Sequence, residues 1–122
     1  MTQGLNFVGI VADNSTGNVI FYINANTNVQ TDISLKNNMV STPSTSIGIF
    51  PAMPNRYFSG NIYDIVFIGT NLNNSQVNNI REGRMLPSQF DCRLWNDYRL
   101  GHSFDLSEYG NNGVLNGFVR FV

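Results

Sequence analysis

The sequence predicts an all-β fold, an antiparallel β-sandwich with one short helix, on three observations. Apolar runs rich in β-branched and aromatic residues alternate with stretches of Asn, Ser, Gly and Pro, as strands alternate with turns. Only one segment carries the capping signals of a helix. With 122 residues, 42% hydrophobic and 12% aromatic, the chain is long and apolar enough for one globular core.

The first three strands are predicted to form a β-meander. Residues 5–12 and 19–23 are apolar at nearly every position, which is typical of strands covered on both faces. Asn24 and Asn26 tolerate the left-handed backbone of a tight turn, so we expect a hairpin there. Residues 29–35 alternate apolar and polar side chains, which places one face of that strand in the core and the other in water.

The strongest strand signal covers residues 57–68. A short strand is expected before it at residues 47–50, and the two prolines of residues 51–56 exclude that segment from a central strand. From Ile65 onward the long segment is apolar on both faces, so its second half is expected to be covered on both sides.

The single predicted helix begins after Asn73 and ends before Gly83. Asn73 is a suitable N-cap, and Gln76 can complete a capping box three residues later. Gly83 supplies the C-terminal stop. Val77 and Ile80 are three residues apart, so they are expected on one helix face against a sheet.

The last third of the chain returns to β-type sequence. Residues 84–89 form a connector, and residues 92–100 alternate as a strand does. Residues 105–113 are dense in turn formers, and β-type residues follow at 114–115 and 118–122. The sequence therefore predicts a further strand, a turn and closing strands after the helix.

Charge and composition exclude several classes of function. Seven Lys and Arg against eight Asp and Glu give a net charge of -1, and charged residues make up only 12% of the chain. Nucleic acids and anionic membranes are bound through clustered basic residues, so neither is expected as a partner. No apolar run approaches the ~18 residues of a membrane span, and the first residues lack the pattern of a signal peptide. The single cysteine, Cys92, cannot form an internal disulfide.

Three segments resemble a known superfamily. Residues 58–65 are similar to its F-x-G-x-I-D-[ED]-[VI] strand, residues 21–24 to its Y-[VI]-N-G hairpin, and residues 105–113 to its D-x-S-G-x-x-N-x-G turn. Together they resemble the concanavalin A-like lectin/glucanase superfamily in its laminin G-like branch. Ala25 stands where that hairpin usually has glycine. The resemblance implies an antiparallel jelly-roll β-sandwich.

The order of these segments departs from the family. Residues 1–86 match its closing strands and helix, residues 87–92 connect, and residues 93–122 match its opening strands, while two or three intervening strands have no counterpart. The chain therefore joins two repeats, is a permuted and shortened sandwich, or completes its sheets with strands of neighbouring copies. Because open sheet edges pair with other chains, we expect a homo-oligomer or an assembly by strand exchange.

The sequence does not predict an enzyme. Glucanases of the superfamily use two Glu on one strand, whereas this chain has only Glu82 and Glu108, on different elements. Asp64 is expected to be a hydrogen-bonded residue of the sheet rather than a catalytic acid. Cys92 and His102 lack an activating context for a nucleophile pair and are too few for a zinc site.

Two binding sites are predicted as candidates, and no cofactor is expected. A glycan site needs an exposed aromatic platform flanked by polar groups, and the residues that can supply it are Arg56, Tyr57, Trp95 and Tyr98. Calcium is left open at Asp105, Asn111 and Asn112 and at Asp13 with Asn14 and Asn18, against the alternative that these side chains hydrogen-bond their own turns.

The interpretation is therefore a non-catalytic structural or adhesive module, extracellular or on a virion surface, that associates with itself. A lectin-like carbohydrate-binding domain is the alternative. The abundance of uncharged polar residues, 40 of the 122, suits a surface that packs against its own copies.

Overall fold

A computed structural model describes residues 4–13, 15–31, 46–48, 57–116 and 121. Within these residues the protein is mostly β, with five strands in two antiparallel sheets and one short α-helix. The predicted β character and the short helix are therefore confirmed. The sheets are small, with three and two strands, and a jelly-roll sandwich is not established by them.

The first sheet is the predicted meander of β1 (Val8–Asp13), β2 (Asn18–Ile23) and β3 (Asn26–Gln30), in the order β1-β2-β3. Asn24 has a φ of 56° in the turn between β2 and β3, the left-handed conformation that the sequence predicted there. β3 begins before the predicted residue 29, and residues 32–35 of the predicted strand lie outside the described residues.

The two faces of this sheet differ in how well they are covered. Directly opposed residues share a face, and the register pairs Val8 with Ile23 and Ile10 with Phe21. These four side chains are all exposed. On the other face Tyr22 is only 1% exposed. Over β1 and β2 the sheet therefore has one covered face and one open face, and the open face is defined by Val8, Ile10, Ala12, Phe21 and Ile23. Val19, at the end of β2 on the same side, is buried.

The second sheet pairs β4 (Asp64–Ile68) with β5 (Cys92–Asp97). The strand predicted from residue 57 begins only at Asp64. Tyr57 forms an isolated bridge, and Gly60 has a φ of 151°, which interrupts an extended run before β4. The expected cover on both sides of β4 is also incomplete, because Phe67 is 49% exposed.

β5 ends earlier than predicted. The strand stops at Asp97, and Tyr98–Leu100 form a 3-10 helix. The pairing of β4 with β5 joins the segment before the predicted connector to the segment after it. Inside the connector, Pro87–Gln89 form another 3-10 helix.

The shorter predicted strands are not found among the described residues. Residues 47–48 form a bend, while 49–50 lie outside the described residues. Residues 114–115 carry no strand, and of residues 118–122 only Phe121 is described.

Helix α1 (Asn74–Arg81) forms as its capping signals predict. The Asn73 side chain accepts a hydrogen bond from the Gln76 N–H at 2.9 Å, and the Gln76 side chain accepts one from the Asn73 N–H at 2.9 Å. Gly83 has a φ of 71° after the last turn. Val77 is buried and Ile80 half-buried, so both predicted residues lie on a covered side of the helix.

The buried core of the described residues is small. Its apolar members are Val19, Tyr22, Val77 and Cys92, and one polar side chain, Asn96, is 2% exposed. Many large apolar side chains remain in contact with water on both sheets. None of the described helices has the length and apolar character needed to cross a membrane.

Candidate functional site

A turn of residues 105–113 is fastened to β5 through the carboxylate of Asp105. Its Oδ1 accepts hydrogen bonds from the backbone N–H groups of Trp95 and Ser107, both at 2.9 Å. Its Oδ2 accepts from the Ser107 hydroxyl at 2.7 Å and from the Asn111 N–H at 2.8 Å. Both oxygens of this one side chain therefore organise the turn.

The same turn covers the outer edge of β5. The Leu106 N–H donates to the Trp95 carbonyl at 2.7 Å. The Ser107 hydroxyl and the Asn111 amide both donate to the Arg93 carbonyl, at 3.2 and 2.9 Å. Backbone groups on a sheet edge need partners, and here the turn supplies them.

The structure brings the three predicted calcium ligands together, but in hydrogen bonds. Asn112 Oδ1 accepts a hydrogen bond from the Asp105 N–H at 2.8 Å. The Asn111 N–H in turn donates to the Asp105 carboxylate, so the three residues hold one another in place. Burial raises the pKa of Asp105, and the hydrogen bonds from Ser107, Trp95 and Asn111 outweigh burial, so the pKa lies below its usual value. A calcium ion there would have to displace these donors.

No group of three or more His, Cys, Asp and Glu side chains in the described part of the chain is arranged to hold a metal ion. At the second candidate turn, Asp13 Oδ1 accepts from the Ser15 N–H at 2.9 Å and from its hydroxyl at 2.6 Å. Asn14, the second ligand proposed there, lies outside the described residues.

The predicted glycan residues are in different settings. Tyr57 is 67% exposed, whereas Trp95 and Tyr98 are half-buried and Arg56 lies outside the described residues. The Tyr98 ring stacks on Phe121 with centroids 6.4 Å apart. Across the described residues, neither a hydrogen bond nor ring stacking joins Tyr57 to Trp95 or Tyr98.

A charged cluster lies where β4 begins and β5 ends. Asp64 and Asp97 are opposite each other in the register. Arg99 binds Asp97 at 2.7 and 2.8 Å and approaches Asp64 at 3.5 Å. Burial and then repulsion by Asp97 raise the pKa of Asp64, while the hydrogen bond from Arg99 lowers that of Asp97. Arg99 and Asp97 therefore form an ion pair, and the nearby carboxylate of Asp64 is only weakly compensated by Arg99.

Cys92 and His102 do not form a nucleophile pair. The buried Cys92 thiol donates to the Leu94 carbonyl at 3.5 Å, and burial raises its pKa, which keeps the sulfur protonated. His102 Nδ1 accepts from the Phe104 N–H at 3.2 Å, and its ring stacks on the Phe104 ring with centroids 4.8 Å apart.

A small cleft of about 170 Å³ opens between the start of β5 and the turn. Its walls combine aromatic and apolar side chains with hydroxyls and carboxylates, namely Ser88, Phe90, Asp91, Cys92, Leu106, Ser107, Glu108 and Tyr109. The guanidinium of Arg93 lies 4.8 Å from the centroid of the Tyr109 ring and binds Asp91 at 2.8 Å. The volume is below the ~300 Å³ at which small-molecule sites begin.

These charged pairs were not predicted, although the sequence carries a signal for them. Both are Asp-x-Arg triplets, 91–93 and 97–99, at the two ends of β5. At 97–99 the reason is a cap, because Asp97 precedes the 3-10 helix and its Oδ1 accepts from the Arg99 N–H at 3.1 Å, which brings the two side chains together.

Comparison with protein-family models, curated proteins and solved structures finds no match for this chain. Any function of the open face, the turn of residues 105–113 and the cleft therefore follows from the side chains that form them. Of the three, the open face is the most unusual, because large apolar patches exposed to water generally mark contact surfaces.

Proposed function

We propose that this protein is a non-catalytic structural or adhesive β-sandwich module that associates with copies of itself, as a component of a virion or cell surface. A laminin G-like jelly roll, completed by neighbouring copies, is the architecture proposed for the assembly. The observation that carries the proposal is the open face of the β1–β2–β3 sheet. A solvated sheet face normally bears polar side chains, whereas the outward positions of β1 and β2 are apolar.

The chemistry of the described acids and of the thiol supports a role without catalysis. Asp97 is held by Arg99, and Asp105 uses both oxygens to anchor a turn. Cys92 is buried and protonated. The carboxylates of Asp97 and Asp105 and the thiol of Cys92 thus serve the fold.

Light scattering over a concentration series tests the proposal. The chain mass is 13.6 kDa, and self-association predicts particles of at least twice that mass at high concentration, with dissociation on dilution. A particle of one chain mass at every concentration would contradict the proposal.

A lectin-like domain remains the second candidate, and the cleft beside Tyr109 favours it. Tyr109 is half-exposed, and the carboxylate of Asp91 and the hydroxyls of Ser88 and Ser107 line the same cleft. Sugars present apolar ring faces bordered by hydroxyls, so the exposed Tyr109 ring could stack on one sugar unit at the mouth of this small cleft, with most of the sugar outside it.

A glycan array with and without calcium tests this candidate. Binding that is lost in Tyr109→Ala and kept in Tyr57→Ala would assign the cleft. The reverse pattern would assign the residues predicted from the sequence. The absence of binding in both conditions would remove the lectin function.

A further inference from the structure

We infer that the open face is the surface by which two copies of this chain meet, packed face to face across a twofold axis. The inference rests on the proposed function and specifies its partner and its contact. A sheet packed on its own copy forms a two-layer sandwich, the arrangement that buries an apolar sheet face.

The first argument is that the face is apolar where it is most exposed. Val8 and Ile10 on β1 are 61% and 64% exposed, and Phe21 and Ile23 on β2 are 38% and 44% exposed. The register places each pair side by side, so the four side chains form one continuous patch. On the opposite face of β2 Tyr22 is only 1% exposed, so the exposure of β1 and β2 is greatest on the open face.

The second argument is that the surroundings of the patch are complementary to themselves. The register places Asn26, Asn28 and Gln30 of β3 on the same face, beside β2. No member of the open face and none of these three residues carries a charge. Amide side chains both donate and accept, as the 2.6 Å bond from Gln30 Nε2 to Asn28 Oδ1 illustrates, so an amide border can face its own copy. A partner of opposite charge would find no complement here.

The third argument is the area. The four exposed apolar side chains present roughly 350 Å² to water, within the range of the largest apolar patch on a protein surface, which is often a functional one. A standard interface removes ~800 Å² from each partner, with an apolar centre and a polar border. The patch supplies the apolar centre and the amides of β3 supply the polar border, so a reversible, concentration-dependent dimer is expected.

Sedimentation equilibrium of charge variants tests the inference. Ile10→Lys and Phe21→Lys each place a charge in the centre of the proposed contact, and either should weaken self-association by at least 100-fold. Val29→Lys and Thr27→Lys are matched controls, because both side chains are exposed on β3 but belong to the opposite face. The controls should change the dissociation constant less than threefold.

The outcomes separate this inference from the proposed function. Circular dichroism establishes that each variant is folded, and Ile10, the more exposed of the two positions, provides a second variant if Phe21→Lys does not fold. Association that survives both face variants would overturn the inference and leave self-association through strand edges. A wild-type chain that is monomeric throughout would overturn both. Loss of association in the face variants alone is the result that the inference predicts.

Discussion

Replacing Asp105 by Ala should detach the turn of residues 105–113 from β5. The carboxylate accepts four hydrogen bonds, two from backbone N–H groups of the turn, one from the Ser107 hydroxyl and one from the Trp95 N–H on the strand edge. Alanine removes all four acceptors at once. The Asn112 side chain would keep its bond to the backbone N–H of residue 105, but nothing would replace the contact with Trp95.

The expected cost is about 3 kcal/mol. A hydrogen bond to a charged group contributes ~1.5 to 3 kcal/mol, but two of these bonds share Ser107 and water can replace donors that become exposed. The four bonds together therefore contribute less than the sum of four. For a chain of this length, 3 kcal/mol corresponds to a fall in Tm of roughly 10 to 12 °C.

Thermal unfolding followed by circular dichroism measures this cost, and pH provides a second readout. Because the folded-state pKa of Asp105 is lowered, its contribution is present above the unfolded pKa and is lost as pH falls through the folded pKa. The difference in Tm between wild type and Asp105→Ala should stay constant from neutral pH to about pH 4. Below pH 4 the difference should shrink towards zero.

Glu108→Ala is the matched control, an exposed acid in the same turn, and it should change stability by less than ~0.5 kcal/mol. A cost in Asp105→Ala no larger than in this control would refute the reasoning. Millimolar calcium should leave the Tm of the wild type unchanged. A rise in Tm with calcium that is absent in Asp105→Ala would replace the hydrogen-bonded turn by a metal site.

Three further substitutions test separate parts of the account. Tyr22→Phe should raise stability by about 1 kcal/mol in urea unfolding, because among the described residues the buried Tyr22 hydroxyl has no hydrogen-bond partner; a loss of stability would show that the hydroxyl is bonded. Asp64→Asn should stabilise the protein by roughly 0.5 kcal/mol at pH 7. A raised folded-state pKa disfavours the ionised form, so the gain should vanish below pH 4, and a gain that persists there would contradict the assignment. Asn73→Ala should cost about 1 kcal/mol through loss of the N-cap, and Asn73→Ser should restore most of it.

Local signals in the sequence predicted the structure well where one or two residues decide the backbone. The capping box of α1 needs only Asn73 and Gln76, and the left-handed residue in the turn after β2 needs only Asn24. The capping box is closed between neighbours in the sequence. Asn24 favours the left-handed backbone by itself, and the distant Phe7 N–H then donates to its Oδ1 at 2.9 Å.

Predictions that depend on distant contacts were less successful. The apolar pattern of residues 57–68 predicted one long strand, but Gly60 takes a φ of 151° and the strand begins at Asp64. An apolar pattern indicates which side chains prefer burial, whereas strand formation also depends on a partner strand. Here β5 pairs with this segment only from Asp64 onward. The same limit applies to Asp105, whose bond to Trp95 spans ten residues and is not visible as a local motif.

The accessibility of Ile10 in solution tests the central claim most directly. In an Ile10→Cys variant the new thiol reports on the open face, while Cys92, buried and with a raised pKa, reacts slowly with thiol reagents. Thr27→Cys, on the opposite face, is the reference. If two copies meet through the open face, labelling at residue 10 slows as protein concentration rises, while labelling at residue 27 keeps its rate. Labelling at residue 10 that is fast at every concentration would contradict the account.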